Sequence, residues 1–159
     1  HSSKLTLVRA YQIALIRLGE TNGSVKNRIV RQLDPHFPAP NFEQNWLLCE
    51  TLAYLQAPKT AAKGIRLLQN AATQEEQIEY ARSLRMLKAG WTLDLRRAYF
   101  EWFLKAANYR GGASFEKFVQ FIRDDAVASL TDNEKETFKD LLAKKPEQKS
   151  VLENLGAMF

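Results

Sequence analysis

Residues 73–92 read TQEEQIEYARSLRMLKAGWT and hold a helix start, a helix and a helix stop in unbroken succession. Thr73-Gln74-Glu75-Glu76 has the form of a capping box. In that motif the first hydroxyl accepts an orphan backbone amide of the first turn and the fourth side chain reaches back. The helix it opens runs to about Lys88, where Gly90 stops it. Thr92 then caps the most aromatic helix of the chain, which runs to Tyr109. Two helices joined by a short turn lie antiparallel, and the rest of the sequence repeats this grammar.

Upstream, residues 4–19 place Leu5, Val8, Ile13, Leu15, Ile16 and Leu18 at helical spacing. Gly19 and Asn22-Gly23 turn the chain. Ser24 is read as the cap of a helix from Val25 to Leu33, which Pro35, Pro38 and Pro40 forbid from continuing. Asn41 opens the next helix in a capping-box variant with Gln44, and Trp46, Leu47, Leu48, Leu52, Tyr54 and Leu55 follow. A shorter helix over 59–71 carries Ile65, Leu67 and Leu68. Downstream, Gly111-Gly112 breaks the aromatic helix and Ser114 is read as the next cap. Phe115, Phe118, Val119, Phe121 and Ile122 then form an expected apolar face. Thr131-Asp132-Asn133-Glu134 is a second capping box, for a helix ending near Lys144, and Pro146 starts a last short helix.

The count is about nine helices with no strand. The expected fold is all-α: antiparallel helix pairs stacked as a short HEAT-like α-solenoid, the alternative being a compact multi-helix bundle. Helix starts near residues 4, 41, 74 and 114 recur at about 33 to 40 residues, the range of two-helix repeats. Residues 1–159 form one domain and read as a piece of a longer protein. With 45% apolar and 26% charged residues, the composition is that of a chain that folds on a core. No apolar run approaches the roughly 20 residues that span a bilayer, so no membrane insertion is expected. His1-Ser2-Ser3-Lys4 lacks the pattern of a signal peptide.

Chemistry is sparse. Cys49 is the only cysteine, which excludes an intrachain disulfide, a thiolate zinc cluster and haem attachment through C-x-x-C-H. A buried place on an apolar helix suits it. His36 is the only internal histidine, in a proline-rich turn, and a turn histidine tucked against neighbouring helices is the better reading. No phosphate loop of the Walker type occurs. Asp124 and Asp125, adjacent on a helix, point about 100° apart and do not make an acid–base pair. No catalytic residue, cofactor or metal site is therefore assigned, and the chain reads as no enzyme.

One stretch has character. Between Arg82 and Arg110 stand Arg82, Arg85, Lys88, Arg96, Arg97, Lys105 and Arg110 against Asp94 and Glu101, a surplus equal to the net +5 of the whole chain. Aromatic residues are interleaved, with Trp91 and Tyr109 at its edges. The candidate partner-binding surface is therefore Arg82, Arg85, Lys88, Trp91, Arg96, Arg97, Tyr109 and Arg110. Against this stands a structural reading. Phe100, Trp102 and Phe103 are expected in the core, and Arg97 and Lys105 each lie four residues from Glu101, within intrahelical reach.

The segments Glu76 to Arg85, Gly90-Trp91-Thr92, Arg97 to Phe103, Gly111 to Phe115 and Cys49 to Gln56 resemble the helical-repeat segment of very large exported bacterial proteins. There, that segment accompanies a sugar-dehydrogenase-like β-propeller and a c-type cytochrome domain. The resemblance covers roughly residues 25–143. It implies an exported, for instance periplasmic, location and a spacer role, with the redox chemistry in neighbouring domains. The expected function is a non-catalytic scaffold or protein-interaction module whose partners are neighbouring domains of the parent chain or another protein. The alternative is a nucleic-acid-binding helical-repeat domain that uses the 82–110 stretch.

Overall fold

A computed structural model describes residues 6, 8–10 and 23–146. The described part is all-α, with no strand. Its helices are α1 (Gly23–Leu33), α2 (Phe42–Tyr54), α3 (Thr60–Asn70), α4 (Gln74–Leu84), α5 (Leu93–Ala106), α6 (Gly112–Ala128), α7 (Asp132–Thr137) and α8 (Lys139–Ala143). A 3-10 turn, Asp34–His36, follows α1, and residues 6 and 8–10 are also helical.

The helix starts are where the hydroxyl and amide caps put them. Asn41, Thr73, Thr92 and Thr131 each accept the backbone N–H three residues on. At Thr131 the box is closed in both directions, because Glu134 accepts from the Thr131 amide. Two expected caps differ. Ser24 lies inside α1, which begins at Gly23. Ser114 lies inside α6, which begins at Gly112 because the left-handed φ of +71° at that glycine turns the chain into the helix earlier. The helix expected from Thr131 to Lys144 breaks at Phe138, whose buried ring anchors the junction of α7 and α8. The first helix expected over 4–19 and the last after Pro146 lie largely outside the described residues.

Packing centres on α4. It lies against α2 and α3 most extensively and reaches α6, while α5 touches α3, α6 and α8. α2, α3 and α4 thus each meet the next-but-one helix, α4, α5 and α6 in turn. The concentration of contacts on one central helix is that of a packed multi-helix bundle, and α7 and α8 are too short to make a regular repeat pair. The core runs continuously from Leu33 and Phe37 through Leu52, Ile65, Leu84 and Tyr99 to Ile122 and Ala126.

Two glycines allow close approach. A Cβ on Gly64 would lie 2.9 Å from the Leu84 side chain, so α3 and α4 sit close there. Gly90 has φ +76°, and a Cβ there would lie 2.2 Å from the Pro58 carbonyl.

Among the aromatics of α5, Tyr99, Phe100, Trp102 and Phe103 are all buried. Trp102 is 6% exposed and donates its indole N–H to Gln77 at 2.9 Å. Trp102→Ala is expected to destabilise the fold by roughly 3–5 kcal/mol, through lost burial and an abandoned acceptor. A urea midpoint lowered by less than the equivalent of about 1 kcal/mol contradicts this assignment. For Gly90→Ala, the strained φ and the carbonyl clash predict a loss of about 1–3 kcal/mol, read as a fall in thermal midpoint.

Candidate functional site

The 82–110 stretch is dispersed over two helices and two turns, and three of its seven cations, Arg82, Arg85 and Arg96, are committed to ion pairs within the fold. Arg82, on α4, meets Glu79 at 2.8 Å and Glu50 of α2 at 3.8 Å, and it lies over the Trp46 ring. Trp46 donates its N–H to the same Glu79 carboxylate. Arg85 pairs with Asp125 of α6 at 3.2 Å and donates to the Arg82 carbonyl. These two arginines tie α2, α4 and α6 along one side.

Arg96 does not reach the surface at all. It is 1% exposed, stacked at 4.3 Å over Trp91 and paired through Nε to Glu134 at 2.9 Å. One of its terminal nitrogens finds no partner among the described residues. Trp91, half-buried, donates to the Leu87 carbonyl and stacks on Tyr99. Tyr109 is also half-buried, its hydroxyl donating to Gln77. Lys88 is exposed, and its backbone amide is held by Gln56. Arg97 is exposed beside the Phe138 ring, and Arg110 is exposed with its carbonyl accepting from Gln74. The expected Arg97–Glu101 and Glu101–Lys105 pairs are not formed among the described residues: Arg97 turns to Phe138 instead. The surface expected from these eight residues is therefore not one face. It is a set of interhelical ties, with Lys88, Arg97 and Arg110 as its outward members.

Other sequence-stretch expectations sort cleanly. Cys49 is buried, and burial pushes its thiol up to about 12, so it stays protonated and unreactive at neutral pH. His36 is exposed in the 3-10 turn instead of tucked under a helix. It borders a shallow cavity with Leu33, Pro38 and Leu48. Asp124 and Asp125 are exposed. Of the apolar face expected on α6, Val119 and Ile122 are buried, but Phe118 and Phe121 are 41% and 68% exposed. α6 buries Val119, Ile122 and Ala126 and packs Phe115 and Val127 against the core at the margins, while Phe118 and Phe121 stay exposed among the described residues. Tyr54 and Met86 are exposed as well. No group of three His, Cys, Asp or Glu among the described residues could hold a metal ion, and no described helix is long and apolar enough to cross a membrane.

A charged surface that the sequence reading passed over lies elsewhere. α1 carries Lys26, Arg28 and Arg31, α3 carries Lys63 and Arg66 behind Lys59, and neither helix has an acid. By contrast, α2 holds Glu43 and Glu50 with no cation. Arg31 and Lys59 line an open cleft of about 310 Å³ between the end of α1 and the start of α3. Asp34, at its edge, is neutralised by Lys63 at 3.1 Å. Two acid-free helices carry the signal in the sequence, but their cations are split between segments 26–31 and 59–66, so neither stretch is dense in charge by itself.

No family model, curated protein or solved structure matches the chain.

The Arg96–Glu134 tie has a pH signature. Burial tends to raise the Glu134 carboxyl, but the Thr131 amide and the Arg96 charge outweigh it and hold the group below the ordinary 4.5. A depressed carboxylate contributes stability above its unfolded value, which is lost as pH falls through the folded one. Between about pH 5 and 3, the protein is therefore expected to lose stability more steeply than Glu134→Gln does, measured as urea midpoints across that range. Equal slopes for the two proteins count against the tie.

Proposed function

We propose that this chain is a non-catalytic helical scaffold or protein-interaction module, its helices stacking in a HEAT-like manner within a larger, exported, redox-related protein. The observation that carries the reading is how the basic and aromatic stretch is spent. Arg82, Arg85 and Arg96 each bind a carboxylate on another helix, and the rings between them fill the core. A stretch used this way fixes one helix layer to the next and leaves no cluster poised for catalysis.

The contacts of α2 with α4, α4 with α6 and α3 with α5 bury each helix against one two places on, which suits a rigid spacer. The resemblance of residues 25–143 to the helical segment of large exported proteins supports the location and the spacer role. Redox chemistry in this reading belongs to neighbouring domains. Met86 follows Arg85 at the end of α4, and Phe121 stands one turn before Asp125, the acid that Arg85 pairs with. Exposed apolar residues beside that ion pair suit a protein contact, since large exposed apolar side chains in a group mark interaction sites.

The test is binding of residues 1–159 to the segments that flank it in its parent chain, followed by calorimetry. Phe121→Ser is expected to weaken that binding tenfold or more, as burying one phenylalanine is worth about 1.5–3 kcal/mol, and to leave the thermal midpoint unchanged. Failure to bind any flanking segment at about 100 μM, a free energy near −5.5 kcal/mol, sinks the reading.

The second reading, nucleic-acid binding through 82–110, gives up Arg82, Arg85 and Arg96 to these internal pairs and keeps Lys88, Arg97, Lys105 and Arg110 at the surface. The acid-free α1 and α3 face favours the same chemistry at a different place.

A further inference from the structure

On α1 and α3 the cations meet one carboxylate among the described residues, that of Asp34, which lines the cleft between them and is paired to Lys63. Arg28, Arg31, Lys59 and Arg66 are exposed and make no ion pair among the described residues. Lys63 alone of the α3 cations is engaged, by Asp34. Lys59, Lys63 and Arg66 recur at i, i+4 and i+7, so they share one side of α3 at rises of about 6 and 4.5 Å. Arg28 and Arg31 stand one turn apart on α1 in the same way. The cleft lined by Arg31 and Lys59 joins the two rows.

We infer that this α1–α3 face binds the phosphodiester backbone of duplex nucleic acid without reading its sequence. The chemistry of the face selects that occupant over others. A protein partner wants an apolar anchor at the centre of its contact, yet among the described residues the large exposed apolar side chains, Tyr54, Met86, Leu93, Phe118 and Phe121, all lie on other segments. A membrane surface is held firmly when apolar side chains enter beside the basic ones, and the same absence applies. Single strands are gripped by stacking bases on aromatic rings, and neither α1 nor α3 carries an aromatic residue. What remains is rows of long cations about one helical turn apart, which is what a regular array of phosphates needs. The inference is independent of the scaffold reading, which concerns other residues, those around the Arg85–Asp125 pair, and the flanking domains.

The test uses residues 1–159 and a duplex of about 20 base pairs, titrated by fluorescence anisotropy from about 50 to 200 mM salt. If each of the four unpaired cations meets one phosphate, log K falls against log salt with a slope of about −3.6. The double variant Arg31→Gln/Lys59→Gln is expected to halve that slope to about −1.8 and to weaken binding at about 50 mM salt tenfold or more. Its thermal midpoint should not move, since both residues are exposed. Lys59→Arg should retain the slope, and Lys117→Gln, on exposed α6, should leave both affinity and slope unchanged. No binding at about 50 mM salt overturns the inference. So does an unchanged slope in the double variant, equal loss with Lys117→Gln, or binding to phosphatidylglycerol vesicles with none to the duplex.

Discussion

Burying an aromatic ring that carries one N–H or O–H obliges the fold to supply an acceptor, because an unmade bond in the interior costs about 1–3 kcal/mol. Among the described residues, five rings in the central helices and the turns that flank them meet that constraint. Trp102 and Tyr109 converge on the side-chain oxygen of Gln77. Tyr99 donates to the Ala81 carbonyl, Trp91 to that of Leu87, and Trp46 to Glu79. Gln77 in turn donates to the Ala71 carbonyl. A single buried amide thus joins the end of α3, the body of α4, the C-terminal part of α5 and the turn that follows it. The apolar bulk of the rings drives their burial, but these bonds decide at which rotation and height α5 rests on α4.

The charges obey the same logic at the next radius. Arg96 is drawn inside because Trp91 covers one face of its guanidinium and Glu134 answers its charge. A buried charge without that partner would be strongly destabilising. Glu134 also closes the cap of α7, so one carboxylate both starts a helix and fastens it to α5. Arg82 and Arg85 are less buried and individually worth little. Their value lies in geometry: each spans two helices, and together they align α2, α4 and α6.

Neutralising the centre leaves the two ends of the electrostatic problem unequal. With Arg82, Arg85 and Arg96 paired, the exposed positive charge is left to α1, to α3 with Lys59, and to scattered cations such as Lys88 and Arg97. Apolar exposure moves the other way, to Met86 and α6. A module that holds a protein partner on one side and a polyanion on the other would display this partition. Each half can be perturbed by substitutions of exposed residues that leave the core intact.

The helix class, the positions of most helix starts and the burial of Cys49 and of the α5 rings were legible in the residues alone. Capping at Asn41, Thr73, Thr92 and Thr131 is a contact over three residues, so local sequence contains all of it. The glycine-led start of α6 misled the reading of Ser114, since a left-handed backbone at Gly112 is as local a signal and it took precedence. What the residues could not show was which cations would be spent. Arg82, Arg85 and Arg96 find Glu50, Asp125 and Glu134 at 32 to 40 residues' separation. Nor could periodicity tell which phenylalanines of α6 face inward, because Phe118 and Val119 are adjacent and the choice depends on what the neighbouring helices leave uncovered. Caps and spacing determined that this chain is helical and where its helices begin. Only the tertiary packing decided which charges and which rings remain at the surface, because pairing and burial are properties of distant segments brought together.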